Sequence, residues 1–82
     1  MEKIEIFDKL KEIVASVKDI DVKELDFLTE DSTIKEDLGL NSIGVLYVVV
    51  AIEKQFDVDM RDADVNNFVK VGDVVDFVYD NL

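Results

Sequence analysis

The sequence predicts an all-α fold: a small four-helix bundle with one short helix and a long first connection, formed by a single domain over residues 1–82. Three observations carry that expectation. Apolar residues recur at helical spacing in three separate stretches. Proline is absent and glycine occurs only at positions 39, 44 and 72, too few turn-makers for a sandwich or barrel of many strands. Finally, 82 residues, 49% of them hydrophobic, suffice to fill one core but not two.

The first helix is expected over residues 3–18. Ile6, Leu10, Ile13 and Val17 fall at i, i+4, i+7 and i+11, with Phe7 and Val14 widening the stripe, while Lys9, Lys11, Glu12 and Ser16 form a polar outer face. Fraying is expected near Asp19-Ile20-Asp21. Residues 19–41 hold Val22, Leu25, Phe27, Leu28, Ile34, Leu38 and Leu40 without a sustained period, apart from a short helical turn at Val22–Leu25. A connection of that length is uncommon unless it is anchored or functional, and its interspersed apolar residues suggest one pinned across a face of the bundle. Ser32 and Thr33 read as local turn residues.

Asn41-Ser42 opens the second helix, to about Phe56, since both are good N-terminal caps. Val45, Val48, Val49, Ile52 and Phe56 form its inward stripe. The valines favour a strand by propensity, but the length and the absence of alternation argue for a helix. A short helical piece near residues 62–68 follows, then a final helix at 71–81 that is expected to bury Val71, Val74, Val75, Val78 and Leu82, with Phe77 at its edge.

Charge and composition narrow the function. Twenty acidic residues against nine basic ones give a net charge of −11, which disfavours nucleic-acid backbones and favours partners with basic patches. With no His or Cys, neither a Ser-His nor a Cys-His pair can form, so no catalytic residues are expected and the chain does not read as an enzyme. Asp57, Asp59, Asp62 and Asp64 do not make a calcium loop. Counted from Asp57, the sixth and twelfth positions are Asp62 and Phe68 where Gly and Glu are needed, so no metal site is expected. Residues Met1–Ile6 lack the pattern of a secretory signal, and the longest apolar run, Val45–Ile52, is far short of the ~20 residues that span a bilayer. A cytoplasmic monomer without membrane insertion is expected.

One segment carries more than composition. Asp37-Leu38-Gly39-Leu40 runs into Asn41-Ser42-Ile43, and the helix it opens closes on Glu53-Lys54-Gln55-Phe56. This strongly resembles the acyl carrier protein family, whose signature is an acidic residue, Leu, Gly, a variable residue, Asp, Ser and an aliphatic residue ahead of such a helix. The resemblance extends over nearly the whole chain. It implies that a phosphopantetheinyl transferase attaches 4′-phosphopantetheine covalently to Ser42. It further implies that acyl-loading and acyl-processing enzymes then use the arm, in fatty-acid, polyketide or other specialised acyl metabolism. A helix N-terminus suits the phosphodiester, with free amides and a partial positive charge.

Other readings stay open. A D-alanyl carrier has a similar motif, whereas the Gly-Gly-His-Ser type of peptidyl carriers does not match Leu38–Ser42. An unmodified helical adaptor with the same fold is a further alternative, in which Ser42 is only a cap. Two departures from the family stand out. Asn41 replaces the usual Asp, keeping hydrogen bonding and giving up charge pairing. The outward positions of the second helix are Ile43, Gly44, Tyr47, Val50 and Lys54, with Glu53 the only acid in the helix. Either the connection or the last helix covers these apolar residues, or they form an exposed recognition stripe. Gly44 in the first turn leaves room for a partner close to Ser42.

Overall fold

The computed structural model describes residues 1–61 and 63–82, and its regular elements are three α-helices and two single turns of 3-10 helix, joined by irregular connections. The helices are α1 (Lys3–Lys18), α2 (Ser42–Phe56) and α3 (Val71–Asn81). α1 packs against both α2 and α3. Ile6, Ile13, Val14, Ile52, Val71, Val75 and Val78 form the most deeply buried centre. Burial therefore overrides the strand preference of the α2 valines, because Val48, Val49, Ile52 and Phe56 reach the core only at helical spacing.

The expected fraying after α1 is replaced by an ordered stop. Asp19 turns left-handed at φ 56° and ψ 48°, and its N–H donates to the Ser16 carbonyl at 3.2 Å. The Ile20 N–H donates to the Ala15 carbonyl at 2.9 Å. This pair of bonds satisfies carbonyls that a helix end otherwise leaves unmatched, and it turns the half-buried Ile20 back onto the core.

The long connection is pinned as expected, though by fewer side chains. Asp21 caps the 3-10 turn Val22–Leu25, its carboxylate accepting the Lys23 N–H at 2.9 Å. Leu25, Leu28, Ile34, Leu38 and Leu40 are buried, whereas Val22 and Phe27 are exposed. Backbone bonds then stitch the connection to the start of α3. Ile34 N–H donates to the Val69 carbonyl at 3.0 Å, Val71 N–H to Ser32 at 2.9 Å, and Gly72 N–H to Glu30 at 2.8 Å. The approach at Gly72 is close enough that a Cβ there would lie 3.0 Å from the Glu30 carbonyl oxygen.

The short member of the bundle is one 3-10 turn, Val65–Asn67, opened by Asp64, which accepts the Asn66 N–H at 3.1 Å. The part of the expected helix at residue 62 lies outside the described residues. Leu82 is exposed rather than buried, because it follows the last residue of α3.

Charge is poorly compensated. Among the described residues two ion pairs occur, Lys3–Asp76 at 3.0 Å between α1 and α3, and Arg61–Asp59 at 2.7 Å. With a net charge of −11, self-repulsion opposes the compact state. Screening relieves it, as the Debye length falls to about 10 Å at 0.1 M salt. Thermal unfolding from 10 to 300 mM sodium chloride should therefore show Tm rising by about 5 °C, equivalent to roughly 1 kcal/mol for a domain of this size. A flat or falling Tm would contradict this account.

Candidate functional site

The end of the long connection is a small self-bonded loop that delivers the chain to α2. Thr33 and Asp37 bond reciprocally: the Thr33 N–H donates to the Asp37 carboxylate at 2.8 Å, and the Asp37 N–H donates to Thr33 Oγ1 at 3.2 Å. Ser32 Oγ accepts the Thr29 N–H at 3.0 Å, so both hydroxyls serve turns. The Lys18 ammonium donates to the Leu38 carbonyl and ties the loop to the end of α1. Gly39 follows at φ 65°, a left-handed conformation that a side chain disfavours. Leu38 and Leu40, on either side of it, are buried and anchor the turn.

That anchoring decides what Asn41 and Ser42 do. Asn41 is the cap of α2, and its Oδ1 accepts the Gly44 N–H at 2.8 Å. Ser42 is the first helical residue and is exposed. Among the described residues no hydrogen bond engages its hydroxyl. The two candidate caps thus separate into one structural residue and one accessible oxygen. Gly44 has a packing role as well: a Cβ there would lie 3.0 Å from Leu40 Cδ2 and 3.5 Å from Asn41 Oδ1, crowding both anchor and cap.

A groove of about 400 Å³ borders Ser42. Thr33, Ile34, Lys35 and Glu36 line it from the connection, Val45 from α2, and Val65, Asn66, Phe68 and Val69 from the segment before α3. Ile34, Val45 and Phe68 also line a much smaller apolar crevice of about 20 Å³ that reaches the core residues Leu10, Val14 and Ile52. Phe68 is held edge-on against Phe77, with ring centroids 5.7 Å apart. The walls from the far side were not legible as site residues, since nothing local to Asn66 or Phe68 links them to Ser42.

The outer face of α2 is exposed. Ile43, Leu46, Tyr47 and Val50 leave 64%, 61%, 63% and 43% of their surfaces open, so neither the connection nor α3 covers them. Leu46, absent from the outward residues picked out in the sequence, belongs with them, and its spacing of three from Ile43 was the available signal.

The acidic turn after α2 is differently occupied. Asp59 forms a forked pair with Arg61, whose guanidinium and backbone N–H hold the carboxyl down to about 2. A depressed value means that the stabilisation is present above the ordinary carboxylate range and is lost as pH falls through about 2. Among the described residues no three metal-ligating side chains converge. Asp62, part of the acidic cluster considered for calcium, lies outside those residues.

The loop geometry yields one direct prediction. Gly39→Val places a β-branched residue at φ 65° and should lower the unfolding free energy by about 1–3 kcal/mol, read by urea denaturation. Unchanged stability would show that this turn relaxes to another conformation.

This arrangement, an exposed serine opening a helix beside a groove, is matched by a family model described as "phosphopantetheine attachment site", over residues 8–78. Such domains bear a covalent 4′-phosphopantetheine. Curated relatives agree. The acyl carrier protein of Campylobacter lari is 41% identical over 73 residues, covering 89% of this chain and 91% of its own length. That of Clostridium perfringens is 36% identical over 73 residues (89% and 92%), and that of Aster yellows witches'-broom phytoplasma 37% over 76 residues (93% and 96%). A solution structure of an apo doublet acyl carrier protein from prodigiosin biosynthesis has the same fold, with a TM-score of 0.73 at 21% identity. It matches 99% of this chain, which spans 38% of that longer one.

The chain belongs to the acyl carrier protein family. Its members carry acyl groups on the arm rather than catalyse their chemistry, and work with phosphopantetheinyl transferases and acyl-processing enzymes. Among the described residues no helix is long and apolar enough to cross a membrane.

Proposed function

We propose that Ser42 bears the 4′-phosphopantetheine arm and that residues 1–82 act as one monomeric, cytoplasmic carrier domain in fatty-acid, polyketide or other specialised acyl metabolism. The observation that carries this reading is the division of labour at the start of α2. Because Asn41 supplies the cap, the Ser42 hydroxyl is both exposed and uncommitted. The first amides of α2 lie beside it, and their partial positive charge favours a phosphodiester. The groove next to Ser42 offers Lys35, Thr33 and Asn66 to polar parts of an arm, and Ile34, Val45 and Phe68 to its apolar parts.

When attached, the arm supplies a terminal thiol that holds acyl groups as thioesters. The protein supplies a fixed anchor point and a wall for the arm to lie against. Nucleic acid is not among the proposed partners, since a chain of charge −11 repels phosphate backbones.

Intact mass before and after incubation with coenzyme A and a broad-specificity phosphopantetheinyl transferase tests the reading. A gain equal to one arm, absent in Ser42→Ala, is expected. No gain with several transferases would make the chain an unmodified adaptor instead. Loading assays with candidate acyl- and aminoacyl-transferring enzymes then identify the cargo.

A further inference from the structure

We propose that Lys18 is a positioning residue for attachment of the arm: its ammonium, bonded to the Leu38 carbonyl, locks the peptide plane from which the chain turns into Asn41 and Ser42. The inference rests on the Ser42 reading and adds to it a residue outside the motif that orients the serine.

The turn into α2 has two firm points and one loose joint between them. Leu38 and Leu40 are buried, so their side chains fix where the chain passes. Their amides are held from inside the loop, the Leu38 N–H donating to the Thr33 carbonyl at 3.2 Å and the Leu40 N–H to the Ile34 carbonyl at 3.3 Å. Between them stands Gly39 at φ 65°, and glycine takes either sign of φ with little cost. The Leu38-Gly39 peptide is therefore free to rotate as a unit while both leucine side chains stay in place. Such a rotation swings the Leu38 carbonyl and the Gly39 N–H together, and a partial one tilts the path towards Asn41 and Ser42.

Lys18 supplies the missing constraint. It is the last residue of α1, and its ammonium donates to that carbonyl. Its Nζ lies 3.5 Å from the position that a Gly39 Cβ would take, directly against the joint. Among the described residues this is the one hydrogen bond between α1 and the loop 33–40, and no backbone amide reaches the Leu38 carbonyl. A charged donor makes a strong hydrogen bond, and a cation at a helix C-terminus is favoured by the helix dipole. Lys18 is nonetheless exposed, so the ordering of its long side chain offsets much of that gain. Its removal should loosen the joint far more than the fold, because local openings need much less than global unfolding.

The test compares Lys18→Met, which keeps the stem and removes the donor, with Lys18→Arg, which restores a cationic donor. Lys9→Met, at an exposed lysine on the outer face of α1, makes the same change in net charge and serves as the control. Three properties are measured on each: kcat and KM for arm transfer from coenzyme A by the broad-specificity transferase, motion of the Gly39 N–H by nitrogen-15 relaxation, and Tm. If about one-fifth of Lys18→Met molecules hold the productive turn, KM rises about fivefold with kcat kept, since only the competent fraction binds. The Gly39 order parameter should fall below about 0.6, into the flexible range. Tm should stay within about 5 °C of wild type, and Lys18→Arg and Lys9→Met should behave as wild type throughout. A wild-type KM for Lys18→Met would overturn the inference and leave Ser42 as the attachment point. A raised KM with Gly39 as rigid as in wild type would mean that Lys18 touches the transferase directly, and would overturn it too. So would a loss that Lys18→Arg does not restore, or one accompanied by a larger fall in Tm. Wild type that gains no arm at all would overturn the Ser42 reading and this inference with it.

Discussion

Ser42→Ala is expected to lose all uptake of the phosphopantetheine arm while unfolding within about 2 °C of wild type. The loss should be complete because no neighbouring oxygen can substitute. Ser32 is buried and accepts the Thr29 N–H, and Thr33 Oγ1 is bonded to the Asp37 N–H. Stability should be kept because the hydroxyl holds nothing in place, and alanine is the best helix former at an exposed helical position. Asn41→Ala should behave in the opposite way. It removes the acceptor for the Gly44 N–H and should cost about 0.5–2 kcal/mol, or roughly 4–8 °C per kcal/mol lost, while leaving the serine present. Intact mass and thermal unfolding of the two variants, measured side by side, check the division of labour. A large fall in Tm for Ser42→Ala would mean that the hydroxyl shares the capping role.

Ile52→Ala is expected to have the largest effect on the fold. Ile52 is fully buried in α2, in the stripe that packs towards the core. Truncating such a side chain typically costs about 2–5 kcal/mol, through lost burial and the cavity left behind. The better helix propensity of alanine returns less than about 0.7 kcal/mol. A domain of this length has only about 4–12 kcal/mol in total. At a urea dependence near 1 kcal/mol per M, the midpoint should fall by about 2 M or more. A midpoint shift below about 0.5 M would mean that the valines around it collapse into the space. Val50→Ala, on the open face of the same helix, should change stability by less than about 0.5 kcal/mol.

Much of the architecture was legible in periodicity. The stripes through Ile6, Leu10 and Ile13, through Val48, Val49 and Ile52, and through Val71, Val74 and Val75 are all buried, because helical spacing and burial are one geometric fact. The ends were harder. The stop at Asp19 depends on a left-handed residue that no glycine announced, and aspartate adopts that conformation less readily. Leu82 was misplaced because a stripe extrapolates past the point where its helix ends. Phe27 was misplaced because a connection without a period does not say which of its apolar residues turn inward.

At the site the same boundary runs between neighbours. The family resemblance, the helix that Asn41 and Ser42 open, and Ser42 as the candidate anchor were all legible along the chain. These depend on short spacings within one segment. Such spacings left two matters undecided: which of the pair caps the helix, and whether Ile43, Tyr47 and Val50 are covered. Both depend on how distant segments pack. Burial of Leu38 and Leu40 sets the angle at which the chain enters α2, which turns Asn41 onto the Gly44 amide and leaves the Ser42 oxygen outside. Exposure of the outer stripe depends on where the connection and α3 lie, and the groove beside Ser42 on Asn66 and Phe68 arriving from the segment before α3. Those are contacts between segments far apart in the chain, and local spacing carries no record of them.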